Sequence, residues 1–163
     1  MANPYNVLFL CADNSARSIM AEALLNHKSG GRFKAYSGGS QPATALHEEA
    51  LAELTAAGIG TEDLKSKSWD EFSPQRDESS MMDFIFMLCA GNEGCPTWPH
   101  SRVTAKWDIP DPAVKVGSSE EIARRFHEVL RLLDSRINLL LALQDSELKE
   151  MALELKGKEI EAA

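Results

Sequence analysis

What this chain has little of narrows its chemistry first. It carries 17 lysines and arginines against 25 aspartates and glutamates, a formal net charge of -8. An acidic chain repels nucleic acid and anionic lipid, so neither is an expected partner. Any anion it binds must be held by a local site against the field of the whole molecule. No apolar run approaches the ~20 residues of a membrane span. The first apolar run, Val7 to Leu10, follows a stretch without a basic residue and is too short for a secretory signal. These features lead us to expect a cytoplasmic protein with no membrane partner.

Cysteine is scarce too, with only Cys11, Cys89 and Cys95. An odd number in a reducing compartment argues against a framework of structural disulfides. Each thiol is then either a buried core residue or chemistry. His27, His47, His100 and His127 are scattered, and three thiols at these spacings make a poor zinc site, so no metal is expected. Repeats, low-complexity tracts and interdomain linkers are missing as well. At 163 residues and 44 % hydrophobic, the chain reads as one domain over 1–145, with 146–163 a charged tail of helical character.

The patterning that is present alternates strands with helices. Tyr5 to Leu10 and Phe84 to Leu88 (FIFML) read as strands buried on both faces. Phe33 to Ser37, ended by Gly38 and Gly39, and Ala105 to Ile109 are the other strand candidates. Helical spacing starts at Ser18 and again near Leu46, the second run stopping at Gly58. A short helix is expected near Trp69. Ser118 and Glu121 resemble a capping box that opens a long helix reaching Leu141. Such alternation implies an α/β fold, a parallel sheet covered on both faces, with ligands bound at the carboxyl ends of its strands.

The loop after the first strand, Cys11-Ala12-Asp13-Asn14-Ser15-Ala16-Arg17, carries the strongest signal. A tight loop running into a helix start turns backbone N–H groups toward one centre, and the helix adds the positive end of its dipole. That is a cradle for a tetrahedral oxyanion, which Arg17 closes with a bidentate fork. The same positive field is expected to depress the Cys11 thiol, and Ser18 can donate a hydrogen bond to the thiolate. Asn14 is a residue type that tolerates a left-handed backbone. The alternative is a buried cysteine at a strand end and a surface arginine, and a bare C-x5-R pair would not exclude it. C-x5-R-S between a strand and a helix favours the cradle. Further along, Asp111 precedes Pro112 in a stiff segment, WDIPDPA; the residues alone leave Asp108 and a simple polar turn as rivals.

The stretch VLFLCADNSARSIMAEALL resembles the low-molecular-weight protein tyrosine phosphatase superfamily, and within it the arsenate reductases. AYSGGS, GIGTEDLKSKSWDEF, the loop LCAGNEGCPTWP and the DPA segment extend the likeness along nearly the whole chain. The resemblance implies a four-stranded parallel sheet of flavodoxin-like type with helices on both faces. It implies Cys11 as nucleophile, residues 12–18 (Ala12, Asp13, Asn14, Ser15, Ala16, Arg17, Ser18) as the oxyanion site, and Asp111 as general acid. Asp13 stands where the family more often has glycine, and a carboxylate there is expected to face solvent. Ala113 leaves no aromatic wall after Pro112 of the kind family phosphatases usually have.

Cys89 and Cys95 match the second and third thiols of the thioredoxin-coupled reductases, with a loop one residue shorter. A phosphatase needs one thiol, whereas arsenate reduction needs two electrons, which a thiol pair supplies. The resemblance therefore implies a relay from Cys11 through Cys89 to Cys95, in arsenic detoxification. Glycines 91 and 94 would let that loop close. No tightly bound cofactor is implied; the reductant is an external thiol, thioredoxin or glutathione with glutaredoxin. A phosphotyrosine phosphatase acting on a phosphate-like oxyanion is the rival activity. The family also implies a monovalent cation site beneath the loop, matched by Asn14, Glu22, Ser37 and Asp70.

Overall fold

The computed structural model describes residues 3–72, 82–90, 95–100, 103–114 and 116–162. The order of elements is β1 (Tyr5–Cys11), α1 (Arg17–Lys28), β2 (Phe33–Gly39), α2 (Glu48–Ala56), a 3₁₀ helix (Trp69–Phe72), β3 (Phe84–Leu88), β4 (Ala105–Trp107), α3 (Ser119–Leu141) and α4 (Asp145–Ala162). The sheet order is β2-β1-β3-β4 and every pair is parallel. β1 therefore lies where the strand order reverses, with β2 on one side and β3 on the other. The crevice beyond the carboxyl end of such a strand is where parallel sheets bind ligands. Cys11 is the last residue of β1.

The unbroken apolar runs of β1 and β3 have a simple cause, since both faces of the sheet are buried. Val7 and Phe9 pack with Met20, Leu54, Phe126 and Leu148, so α1, α2, α3 and α4 all share one face. Leu8 and Leu10 point the other way, to Ile85, Met87 and Trp98. Helices were expected on both faces. The described residues cover the second face with the 3₁₀ helix, through Trp69 and Phe72, and with irregular chain at Met82, Trp98 and Val103.

α3 buries a stripe of Phe126, Val129, Leu130, Leu133, Ile137 and Leu140 at steps of three and four. Ser118 caps its start, accepting a hydrogen bond from the Glu121 N–H at 3.2 Å. Arg32 closes its far end, donating to the carbonyls of Leu141 at 2.8 Å and Leu143 at 2.5 Å. None of the described helices is long and apolar enough to cross a membrane.

Two strand ends depart from expectation. β2 runs through Gly38 and Gly39 instead of stopping at Ser37. A Cβ at Gly38 would lie 2.9 Å from the Trp69 Cα, and one at Gly39 would lie 2.6 Å from the Ala12 carbonyl oxygen. These glycines do not break the strand; they let it pass beneath neighbouring chain. β4 stops at Trp107, two residues early. Beyond it the Ile109 carbonyl accepts from an Arg17 nitrogen at 2.9 Å, outside the ladder.

Candidate active site

Residues 11–17 form a loop whose carbonyls are tied outward. The N–H groups of Ser40, Gln41, Ala43 and His47 donate to the carbonyls of Cys11, Ala12, Asp13 and Ser15 at 3.3, 2.8, 2.8 and 3.1 Å. The Ser66 hydroxyl adds a bond to the Asp13 carbonyl at 3.1 Å. In a trans peptide the N–H points opposite to its carbonyl. Outward carbonyls therefore aim the N–H groups of Ala12, Asp13, Asn14 and Ala16 inward. Asn14 shows this directly, donating its N–H to the Cys11 sulfur at 3.1 Å. The loop is an anion cradle with a sulfur at its floor.

Asn14 has a φ of 49°, alone among the described non-glycine residues in the left-handed region. Its side-chain amide donates to the Ser18 hydroxyl at 2.8 Å, and its side-chain oxygen accepts the Lys67 N–H at 2.9 Å. Because the Ser18 oxygen already accepts from Asn14, its own hydrogen is free for the Cys11 sulfur, 2.8 Å away. Asn14, Ser15, Arg17 and Ser18 are all buried.

Cys11 is fully buried, and burial pushes its thiol above the ordinary value, with the Asp13 carboxylate adding in the same direction. The Ser18 hydroxyl, the Asn14 N–H and the Arg17 charge oppose this and do not prevail. In this closed loop the expected depression of the thiol is therefore reversed, because the loop that aims donors at the sulfur also excludes water. Asp13 differs from expectation as well. Its carboxylate is turned toward the loop, with Oδ1 3.9 Å from the Cys11 sulfur and Oδ2 accepting the Ser15 hydroxyl at 2.8 Å.

The Arg17 bond to the Ile109 carbonyl ties the cradle to the segment that carries Asp111. Asp111 Oδ1 accepts the Ala113 N–H at 2.9 Å, a turn that spans Pro112 and holds the carboxyl in a set direction. Cys89 follows β3, next to β1 in the sheet, and its N–H donates to the Trp107 carbonyl at 3.2 Å. It is disulfide-bonded to Cys95, with Cα atoms 5.8 Å apart, while Cys11 is free. Cys89 is buried among Met87, Ile85 and Trp98 on the second face, and Cys95 is only partly buried. Positions 91 and 94 lie outside the described residues.

The residues matched to a cation site do not form an open cage. Both polar ends of the Asn14 side chain are used in the bonds above, and Asp70 is exposed. Glu22 accepts the Ser37 hydroxyl at 2.7 Å, and the ammonium of Lys67 stands 3.4 Å from the same Glu22 oxygen. Among the described residues no group of three or more His, Cys, Asp or Glu could hold a metal ion. Sequence reasoning missed Lys67, Ser66 and Gly39. The close approach at Gly39 had a visible signal, a Gly-Gly pair at a strand end; the role of Lys67 in a polar stretch had none.

Comparison with known proteins follows the same lines. Residues 6–152 match the family model described as low molecular weight phosphotyrosine protein phosphatase. An arsenate reductase from Bacillus licheniformis is 31 % identical over 132 residues, 80 % of this chain and 91 % of that one. The crystal structure of an arsenate reductase from Archaeoglobus fulgidus superimposes with a TM-score of 0.67 at 28 % identity, covering 84 % of this chain and 99 % of the other. A thioredoxin-dependent arsenate reductase from Corynebacterium glutamicum gives a TM-score of 0.55 at 27 % identity, over 85 % of this chain and 65 % of that one.

Proposed function

Since the chain belongs to the low molecular weight phosphotyrosine protein phosphatase family, we propose that it uses the shared cradle to reduce arsenate to arsenite. One observation carries this reading: Cys89 and Cys95 are joined while Cys11 stays free in the anion loop. That is the thiol distribution expected at the end of one reductive cycle.

In the proposed cycle the loop N–H groups and Arg17 hold the oxyanion, and the Cys11 thiolate attacks arsenic. Asp111 donates the proton with which one arsenate oxygen leaves as water. The Cys89 thiolate then attacks the Cys11 sulfur. The S–As bond breaks, its electron pair stays on arsenic, and arsenite leaves as a Cys11–Cys89 disulfide forms. Cys95 attacks the Cys89 sulfur, returning Cys11 as thiolate and leaving the Cys89–Cys95 disulfide. An external thiol resets the enzyme. Cys95 is the less buried of the two residues, which supports attack at its sulfur with Cys89 as the leaving thiolate. Thioredoxin fits this step as a dithiol, and glutathione with glutaredoxin is the other candidate.

Reduced protein incubated with arsenate and no other reductant is expected to release stoichiometric arsenite. Peptide mapping should then find Cys89–Cys95, and Cys11–Cys89 in Cys95→Ser. Arsenite with no disulfide involving Cys89 would overturn the relay. Turnover of phosphate esters without arsenite formation would establish the phosphatase instead.

A further inference from the structure

Lys67 is strapped into the molecule by its main chain. Its N–H donates to Asn14 Oδ1 at 2.9 Å and its carbonyl accepts the Gly39 N–H at 3.0 Å. Its side chain then turns beneath the loop. The ammonium lies 3.4 Å from Glu22 Oε1, 3.5 Å from the Ser37 hydroxyl and 3.2 Å from the Lys65 carbonyl. These three oxygens come from α1, β2 and the segment before the 3₁₀ helix. The Lys67 and Glu22 side chains are 13 % and 12 % exposed, so the ion pair is largely shielded from solvent. A compact point charge with three donors, ringed by oxygens from three segments, has the surroundings of a bound monovalent cation.

We propose that Lys67 is a positioning residue whose ammonium serves as a resident cation, bracing the anion loop in place of a free metal ion. It goes beyond the reaction proposed above, because it concerns how the cradle is held whatever oxyanion enters. Two observations support it together. Two residues matched to a cation site, Glu22 and Ser37, contact the Lys67 ammonium instead. A third, Asn14, is tied by the backbone of the same lysine. The main chain thus holds Asn14, whose amide supports Ser18 and whose N–H meets the Cys11 sulfur, while the side chain neutralises the carboxylate beneath. Losing the ammonium leaves the largely shielded Glu22 carboxylate without its cation.

The test is Lys67→Met, which keeps an apolar stem and every main-chain bond and removes the ammonium with its charge and its donors. Inorganic phosphate is the probe, with binding followed by calorimetry and the loop by the rate of Cys11 alkylation, so arsenate turnover is not required. The whole chain is compared in choline, potassium and ammonium chloride at equal ionic strength. Wild type should bind phosphate equally in all three. Lys67→Met in choline should bind it about tenfold more weakly. Potassium or ammonium at about 100 mM, the same ionic strength as the choline control, should recover most of that loss. A variant indistinguishable from wild type in choline would overturn the proposal, as would a loss that no small cation reverses. Glu22→Gln/Lys67→Met guards against misfolding, because it leaves neither member of the pair charged. It should fold and should show no response to potassium; a potassium response without Glu22 would also refute the assignment.

Discussion

Asn14 does three things with one residue: it takes the left-handed turn, gives its N–H to the nucleophile, and ties Ser18 to the 66–68 segment. Beside it, Asp13 works against the thiolate. Removing that charge in Asp13→Asn should move the midpoint of Cys11 alkylation to lower pH and speed alkylation at neutral pH; an unchanged or higher midpoint would exclude electrostatic contact. Burial has a further consequence for stability. The folded thiol ionises above its unfolded value of about 8.5, so the native state keeps a proton that the unfolded chain has lost. This group leaves stability unchanged well below about pH 8 and lowers it as pH climbs through the unfolded value toward the folded one. Urea unfolding at neutral and alkaline pH should show that alkaline loss in wild type, and Cys11→Ser should lack this component.

Among elements, β2 shows how close packing serves the site. The strand passes under the loop only because position 39 has no side chain. Gly39→Ala should force the Ala12 carbonyl from its place and weaken phosphate binding, with circular dichroism unchanged. Leu133, in the core stripe of α3, is fully buried and makes none of the hydrogen bonds that hold the loop. Leu133→Ala should cost about 2–5 kcal/mol in urea unfolding, with Cys11 alkylation of the folded protein unaltered. The strands of this fold were legible because apolar runs buried on both faces leave an unmistakable pattern, and FIFML matches β3 residue for residue. Boundaries near the site were less so. Gly38 and Gly39 read as an end in sequence because glycine is a common stop, and only the neighbours at 2.9 and 2.6 Å reveal a strand that continues.

For the molecule as a whole, the Cys89–Cys95 bond is a small constraint. It spans a sequence separation of 6, and closing so short a loop stabilises a chain by about 2 kcal/mol at most. Reduction should therefore lower the melting temperature by only about 4–8 °C and leave the fold intact. Calorimetry with and without a reductant measures this directly. Collapse on reduction would mean that the disulfide is structural and would count against a redox cycle. A bond that can open without unfolding the sheet is what a relay requires.

The sequence alone determined the order of strands and helices and the chemical identity of the anion loop. Both are local: apolar runs dictate strands, and a thiol and a guanidinium with five residues between them can bracket an oxyanion wherever a strand meets a helix. The protonation of Cys11 was decided only by the tertiary structure, because burial and a carboxylate 3.9 Å away act through space. So was the place of Lys67, which lies 45 residues from Glu22 in the chain and 3.4 Å from it in the fold. Spacing in sequence reports neighbours on one element, whereas desolvation and ion pairing depend on distances that only the packed sheet brings about.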